Sequence, residues 1–434
     1  MTQNALVTQL PPDKLDADRY LYSKAHAHWT LFVLSVLMLF DYVDRQALSS
    51  LLPLVKQEWR LNDAQLGALV AAVNVAIALL ALPTAIWADR WSRTKSAGIM
   101  AAVWSMATAA CGVATNFAQL LAARFLIGTG EAGYTAAGNS LIAAAFPKRL
   151  RGTMIGVFQS VALFGSVLGV ALGGIIGVAL GWRYAFGLVA VPGLLFAVLM
   201  FFVRDYENPP LATEQMNSNR FSQWSGYLKE MFRKPVLWLV YLGSAIQFFV
   251  IATIGNWMPS FFNRVYGLPA DQAGVRSALL ALCSAFGVMV GGWFADRVIA
   301  GNPCRRLWLP GVFSVLTATL FVAAFLQPPG VVQQGLLVLG DFVIVALISP
   351  VITVIQELVP PAMRTTSTGA MVTCNNLFGM ALGPLVLGAL SDRFDLPTAM
   401  LLVSFAPILA AAAFFGAVPL YAREFGAKAA ILSP

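Results

Sequence analysis

Apolar residues occur along this chain in long runs, separated by short stretches that carry charge, glycine or proline. Breaking the runs at these stretches predicts about twelve α-helices of about 20 to 25 residues, the length that crosses a bilayer. One polar interval of about 30 residues divides them six and six. We number them spans 1 to 12, with predicted bounds 29–54, 64–88, 94–114, 117–146, 152–180, 182–203, 235–263, 271–296, 306–326, 331–358, 365–390 and 396–421.

The balance of residue types excludes a water-soluble enzyme. Hydrophobic residues make up 59% of the 434 positions and charged residues 11%, against about 25% charged in a soluble domain. The four cysteines are far apart, and both histidines precede span 1. We therefore expect no disulfide framework, metal site or cofactor, and proton chemistry within the bilayer would have to use carboxylates. The sequence also lacks a glycine-rich ATP-binding loop.

Lysines and arginines predict the orientation. Of the 28, 20 lie in the tails and loops on the side of the termini, 6 in loops on the opposite side, and 2 within spans. The positive-inside rule then places both termini in the cytoplasm, in a multi-pass inner-membrane protein. Residues 1–28, without the apolar core of a signal peptide, and 422–434 are expected to be cytoplasmic tails. Since the basic residues follow the loops, no nucleic-acid partner is expected.

The two sets of six spans repeat one another. Residues 61–67 (Leu-Asn-Asp-Ala-Gln-Leu-Gly) align with 268–274 (Leu-Pro-Ala-Asp-Gln-Ala-Gly), and the same offset of 207 joins the Asp-Arg pairs at 89–90 and 296–297. A duplicated six-helix unit is the usual construction of secondary transporters. The sequence predicts an all-α membrane protein of two pseudo-symmetric six-helix bundles, 29–203 and 235–421, joined by a cytoplasmic linker, 204–234.

Spans 1 and 4 contain charged residues at membrane depth: Asp44, Arg45, Arg124 and Glu131. Such charges cost several kcal/mol unless they are paired, and they usually face a cavity. Arg124 and Glu131 share a helix face but are about 10 Å apart along the axis, so each needs a partner on another helix. The group is either a functional site for protons and substrate or a structural ion network.

Other carboxylates have less certain roles. Asp41 lies on nearly the same face as Asp44 and Arg45, and it either shares the proton-carrying task or only neutralises Arg45. Asp341 and Glu357 are expected to mark the ends of span 10 rather than a proton path.

Further polar and aromatic residues interrupt the apolar spans. They either line a substrate cavity or form hydrogen bonds between helices. Trp257, beside Pro259, has two interpretations of its own: an aromatic wall of the cavity at a helix break, or an anchor at the membrane interface. Glycines spaced by four in span 5, and others in span 11, predict close helix packing. The candidate lining residues are Tyr42, Tyr134, Asn139, Gln159, Gln247, Asn256, Trp257, Asn375 and Asn376; the glycines are Gly165, Gly169, Gly173, Gly174, Gly379, Gly383 and Gly388.

Two copies of a loop motif resemble the signature of the major facilitator superfamily, Gly-x-x-x-Asp-Arg followed by a second glycine and basic residues. Residues 85–95 read Ala-Ile-Trp-Ala-Asp-Arg-Trp-Ser-Arg-Thr-Lys, with Ala85 and Ser92 in place of the glycines, and residues 292–297 read Gly-Trp-Phe-Ala-Asp-Arg. The resemblance extends from residue 29 to about 423. The motif acids Asp89 and Asp296 end spans 2 and 8, where each either meets the positive end of a helix of the other half, as part of a cytoplasmic gate, or only caps its loop. The implied gate residues are Asp89, Arg90, Arg93, Arg151, Asp296, Arg297 and Arg364.

Spans 1 and 4 narrow the resemblance further. Residues 41–46 (Asp-Tyr-Val-Asp-Arg-Gln) and 124–134 (Arg-Phe-Leu-Ile-Gly-Thr-Gly-Glu-Ala-Gly-Tyr) are similar to motifs of the spinster-like branch, which transports sphingolipids and lysolipids, and of the anion:cation symporter branch. Spinster-like members commonly have Asn in place of Asp41, so both branches stay open. In the superfamily, span 1 lies beside span 4, which makes Asp44–Arg124 and Arg45–Glu131 the expected pairs.

These observations predict a monomeric, proton-coupled secondary active transporter working by alternating access. Its substrate would be a small organic anion, or an amphiphilic, lipid-like anion or zwitterion, bound through Arg45 and Arg124. Asp44, Glu131 and Asp41 would carry the proton. A sugar-acid or aromatic-acid importer and a lysolipid exporter are both open. A membrane-embedded enzyme or receptor would need a catalytic cluster or a larger soluble domain, and a channel fits paired charges less well.

Overall fold

The computed structural model describes residues 20, 22–205, 233–299, 305–359 and 364–432. Over these residues the chain is helical and contains no β-strand. The helices lie at the positions of the predicted spans, and where the connection is described, successive helices are joined by short loops. Most of the predicted linker, 204–234, lies outside the described residues. The last helix continues to Leu432, well into the segment predicted as a tail.

In the N-terminal half, span 4 is divided into two helices at Ala132 and Gly133. The other spans of this half are single helices. The bounds are Lys24–Trp59 for span 1, Asp63–Arg90 for span 2, Arg93–Val113 for span 3, Phe117–Glu131 and Tyr134–Ala145 for span 4, Lys148–Ala179 for span 5 and Trp182–Met200 for span 6.

In the C-terminal half, spans 10, 11 and 12 are each divided. The bounds are Pro235–Tyr266 for span 7, Ala270–Ile299 for span 8, Arg305–Leu326 for span 9, Val331–Ala346 and Ile348–Leu358 for span 10, and Leu396–Val403 and Ala406–Leu432 for span 12. Span 11 consists of Arg364–Cys374, a π-helical segment Asn375–Ala381, and Leu382–Arg393. The helix of span 7 runs through Pro259 without a break, so the helix break that was one of the two interpretations of this site is wrong.

Nine described helical stretches are long and apolar enough to cross a membrane, and they belong to spans 2, 3, 5, 6, 7, 9, 10, 11 and 12. Span 1 is interrupted by three charges in five residues, and each helix of span 4 has fewer than 18 residues. Spans 1 and 4 are therefore among those whose apolar signal is weak, whereas span 10 passes although it contains Asp341.

We call the ends of the helices opposite the N-terminus of span 1 the distal face. Spans 2 and 12, which begin there, are capped by polar side chains. Asn62 accepts a hydrogen bond from the Gln65 amide at the start of span 2, and the Gln65 side chain accepts one from the Asn62 amide. Asp395 caps span 12 in the same way. These caps satisfy amide groups that no turn of helix can reach.

Spans 1 and 6 are joined at the distal face by Glu58. Trp182 Nε1 donates to Glu58 Oε2 at 2.5 Å, and Arg183 Nη1 donates to Oε1 at 2.6 Å. Burial alone would raise the pKa of Glu58, but the hydrogen bonds from Trp182 and Arg183 outweigh it and hold the pKa below its ordinary value.

The glycines of span 5 allow its backbone to lie directly on span 1. A Cβ added to Gly165, Gly169 or Gly173 would lie 2.5 to 2.7 Å from a backbone oxygen of span 1. Gly383 in span 11 is equally close to the Phe249 carbonyl of span 7. Close packing, as predicted for these glycines, is confirmed.

The two halves are in contact at the distal face. A Cβ at Gly174 in span 5 would lie 2.5 Å from the Ala270 oxygen of span 8, and one at Gly274 would lie 2.8 Å from the Val170 oxygen. Ser49 of span 1 donates to Asn256 Oδ1 of span 7 at 2.8 Å. Spans 2 and 11 also pack against each other. The distal ends of the halves therefore leave no wide opening between these helices.

Candidate functional site

The charged residues of spans 1 and 4 form one buried cluster, which we call the carboxylate–arginine cluster: Asp41, Asp44, Arg45, Arg124 and Glu131. Arg45 Nε lies 2.8 Å from Asp41 Oδ1 and 2.9 Å from Glu131 Oε2. Arg124 Nη1 lies 3.3 Å from Asp44 Oδ2. Both predicted pairs, Asp44–Arg124 and Arg45–Glu131, are thus formed, and Asp41 also contacts Arg45.

Helical spacing brings the cluster together. Asp41 and Arg45 are one turn apart on span 1, and Arg124 and Glu131 are two turns apart on span 4. Gly130 lets span 4 approach span 3 closely, because a Cβ there would lie 2.7 Å from the Met100 oxygen. The cluster therefore sits inside the N-terminal half rather than facing lipid, with Arg124 and all three acids almost fully buried.

The charges of the cluster do not balance, since three carboxylates face two arginines. Arg45 Nε carries a single hydrogen, and it is directed at Asp41. Glu131 is therefore close to the arginine charge but has no hydrogen bond from any described residue. Because both acids lie within 3 Å of the same nitrogen, their nearest oxygens are within about 6 Å of each other. One added proton would make the cluster neutral and would give these acids a donor.

Tyr42 and Tyr134 lie beside the cluster. The Arg45 guanidinium is 5.2 Å from the centre of the Tyr42 ring, which is a cation–π distance. Tyr134 is buried, and its hydroxyl donates to the Leu34 carbonyl of span 1 at 2.5 Å. Tyr134 therefore joins spans 1 and 4, whereas Tyr42 contacts the charged group itself.

The other polar residues expected to line a cavity have different positions. Asn256 lines a cavity between the halves, described below. Gln247 donates to Ser314 and Trp257 to the Pro384 carbonyl at 3.2 Å, so both are buried between helices of the C-terminal half. Gln159 is exposed. Asn139 and Asn375 each have a buried side-chain oxygen without a hydrogen bond from the described residues, and Asn376 donates to the Val372 carbonyl of its own helix.

The expectation for Asp341 is wrong. It lies inside the helix Val331–Ala346, ten residues from its start, and span 10 continues for more than a turn beyond it. Its side chain lines the cavity between the halves. Glu357 does lie near the end of the span, next to Leu358.

Of the predicted gate residues, Arg93 is described, at the start of span 3. The side chains of Asp89, Arg90, Arg151, Asp296, Arg297 and Arg364 lie outside the described part of the chain. The predicted gate contacts of these side chains stay predictions.

A second charged group, which the sequence did not lead us to expect, joins the halves at the distal face. Asp63, at the start of span 2, receives two hydrogen bonds from Arg264 of span 7, at 2.6 and 2.7 Å. It also accepts from Lys56 at 2.5 Å and from Ser391 of span 11 at 2.6 Å. We call Lys56, Asp63, Arg264, Ser391 and Asp392 the distal latch.

Asp392 completes the latch by a contact with backbone. Its two carboxylate oxygens accept from the amides of Asp63 and Ala64, at 2.6 and 2.7 Å. These amides open the helix of span 2, where the helix dipole favours a negative charge. A carboxylate at the end of span 11 thus binds the beginning of a helix in the other half. The sequence does show an acid at each of these span ends, Asp63 and Asp392. Their partners in the other half are more than 200 positions away.

The sequence profile of the Major Facilitator Superfamily matches residues 34–384. The chain belongs to this superfamily. Among curated members, the hexuronate transporter of Bacillus subtilis is 27% identical over 66% of this chain and 68% of its own length. Protein spinster homolog 1 of Bos taurus is 27% identical over 91% of this chain and 81% of its own. The resemblance to both branches is confirmed.

A solved structure has nearly the same fold. A bacterial homolog of the human lysosomal transporter spinster, in an inward-facing and unoccupied conformation, superposes with a TM-score of 0.84. It is 25% identical and covers 93% of this chain and 99% of its own. The superfamily member described here therefore shares its helix arrangement with a spinster-type transporter.

Proposed function

We propose that this protein is a proton-coupled secondary transporter of a small organic anion or zwitterion. It would work by alternating access between two six-helix bundles, with both termini in the cytoplasm and the distal face outside. The observation that carries the proposal is the carboxylate–arginine cluster, in which three buried carboxylates meet two arginines. Such a cluster holds one proton without leaving a net charge in the membrane.

The coupling follows from competition for the arginines. Arg45 and Arg124 already contact carboxylates, so a substrate anion that binds either arginine must displace one of them. A displaced, buried carboxylate is stabilised by taking up a proton. Proton and anion then bind cooperatively, and an exporter would run the same exchange with a proton displacing the substrate. Glu131 is the first proton carrier, because it has no hydrogen bond from the described residues.

The relatives support an acidic substrate. Their names include a hexuronate transporter and a probable L-galactonate transporter of Escherichia coli, both for sugar acids, and a probable sphingolipid transporter of Arabidopsis thaliana. The two sugar acids carry a carboxylate, which a planar guanidinium binds with two hydrogen bonds. We therefore assign the acid group of the substrate to Arg45 or Arg124.

Transport in proteoliposomes tests the proposal. A panel of radiolabelled hexuronates, aromatic acids and lysolipids first identifies a substrate whose accumulation responds to a pH gradient. Glu131→Gln and Asp44→Asn should then abolish gradient-driven accumulation, while at least one of them still exchanges substrate across the membrane. Glu58→Gln makes the same chemical change outside the cluster and should transport normally.

Two results would contradict the assignment. Accumulation driven by the pH gradient in both single variants and in the double variant would show that these acids do not carry the proton. Accumulation that requires sodium and ignores the pH gradient would place the coupling ion elsewhere.

A further inference from the structure

The described part of the structure contains a cavity of about 200 Å³ between the two halves. Its walls come from spans 1 and 5 on one side and from spans 7, 8, 10 and 11 on the other. The polar groups in the walls are Gln46, Ser166, Asn256, Ser277, Ser284 and Asp341. A ligand in this cavity would touch both halves, which is where an alternating-access carrier needs its substrate.

The three serine hydroxyls of the cavity are available as hydrogen-bond acceptors rather than donors. The hydroxyl hydrogens of Ser166, Ser277 and Ser284 are already donated to carbonyls of their own helices, at 2.8 to 3.1 Å. Asn256 Nδ2 donates to the Ala252 carbonyl at 2.7 Å. Each serine hydroxyl keeps a free lone pair, which can accept but not donate. These hydroxyls are thus suited to a group that donates hydrogen bonds, while Gln46 and Asn256 supply the amide groups of the walls.

Asp341 adds a carboxyl group to these acceptors, and it is negatively charged when ionised. No described residue forms a hydrogen bond or an ion pair with its carboxylate, and no lysine, arginine or histidine lies in the described walls. An unpaired carboxylate at membrane depth is costly and is retained where it faces a pathway or a ligand. The arginine-bound acids of span 1 lie in the other half and have partners of their own.

We propose that Asp341 is the cation-binding group of this cavity and holds the ammonium group of the substrate. The inference rests on the proposed function and narrows it. The acid group of the substrate goes to an arginine of the N-terminal half, and its amine goes to Asp341 of the C-terminal half. The substrate class is then a zwitterion, and a ligand held at both ends favours the conformation in which the halves are close.

Charge-selective labelling of a cysteine tests the proposal without knowledge of the substrate. Ser284→Cys is introduced into a cysteine-free background, and its labelling by a cationic and an anionic methanethiosulfonate of similar size is timed at pH 7. The ratio of the two rates is divided by the ratio at Thr115→Cys, an exposed position between spans 3 and 4. The negative charge of ionised Asp341 in the same cavity should favour the cationic reagent at least fivefold, and Asp341→Asn should remove that preference.

The outcomes separate this inference from the transport proposal. A preference that persists unchanged in Asp341→Asn, no preference at all, or no labelling of Ser284→Cys would each overturn the cation site, while the proton-coupling experiment above would be unaffected. If Asp341→Asn does not give a monodisperse protein, Asp341→Thr replaces it, with Asp341→Glu as the variant that should keep the preference. As a second readout, a transported zwitterion should lose affinity at least tenfold in Asp341→Asn relative to a transported anion that lacks the amine.

Discussion

The distal latch leads to a quantitative prediction about the conformational equilibrium. Asp63 binds the other half through two hydrogen bonds from Arg264 and one from Ser391. Hydrogen bonds to a charged group contribute about 1.5 to 3 kcal/mol each when buried, but the Arg264 side chain is 25% exposed and solvent weakens its share. Asp63→Asn keeps an acceptor for Ser391 and loses the charge. We therefore expect the closed distal face to lose about 2 to 3 kcal/mol, or roughly 30- to 150-fold in the equilibrium.

Spin-label distances across the distal face measure this shift. Labels at Thr115 and Phe394, exposed residues at the distal ends of the two halves, should show one short distance in the parent protein and a populated longer distance in Asp63→Asn. Asp395→Asn is the matched control, because Asp395 lies on the same face and caps its own helix without contacting the other half.

A double-mutant cycle identifies the contact responsible. Arg264→Gln should produce a similar shift, and the double variant should add little to either single variant, since both remove one interaction. An unchanged distance distribution in Asp63→Asn, or full additivity in the double variant, would show that the latch does not hold the halves together.

Three further predictions concern other parts of the molecule. Gly169→Ala should lower the thermal unfolding temperature by several degrees through an overpacking cost of about 1 to 3 kcal/mol, whereas Gly156→Ala on the same helix, where a Cβ meets no atom within 4 Å, should not. Arg124→Lys keeps the charge but not the planar fork, so substrate binding should weaken at least tenfold in a calorimetric titration, and full affinity would make Arg124 structural. The pKa of Glu58 is lowered in the fold. Its ionised side chain therefore stabilises the fold at a pH above the pKa of Glu in the unfolded chain, about 4.3, and this contribution is lost as the pH falls. The difference in thermal stability between the parent and Glu58→Gln should disappear in acid.

Much of the fold and part of the site follow from the sequence because membrane depth makes charge rare. A charged residue in an apolar run must be paired, and helical spacing then limits its partners. That reasoning, with the resemblance that places span 1 beside span 4, led to the pairs Asp44–Arg124 and Arg45–Glu131, which the structure forms. Glycine spacing likewise predicted that another helix packs closely on span 5, and in the structure that helix is span 1.

The sequence was a poor guide where the contact joins the halves. Asp341 was assigned to a span end because a charge usually ends an apolar run, yet its helix continues and places the carboxylate in a cavity. Asp63 and Arg264 are 201 positions apart, and nothing local in either loop indicates the partner. The expected contact between a carboxylate and a helix start does occur, but the described example, Asp392 at the start of span 2, is on the distal face.

The imbalance of the carboxylate–arginine cluster also determines how the membrane voltage acts on the protein. With all five groups ionised the cluster carries one net negative charge, and with one proton it is neutral. A unit charge that crosses the full membrane field changes in energy by about 2.3 kcal/mol per 100 mV. A motion of the cluster relative to that field therefore responds to voltage when the proton is absent. The same motion no longer responds when the proton is bound. The electrical and chemical parts of a proton gradient thus act on different protonation states of the same five residues.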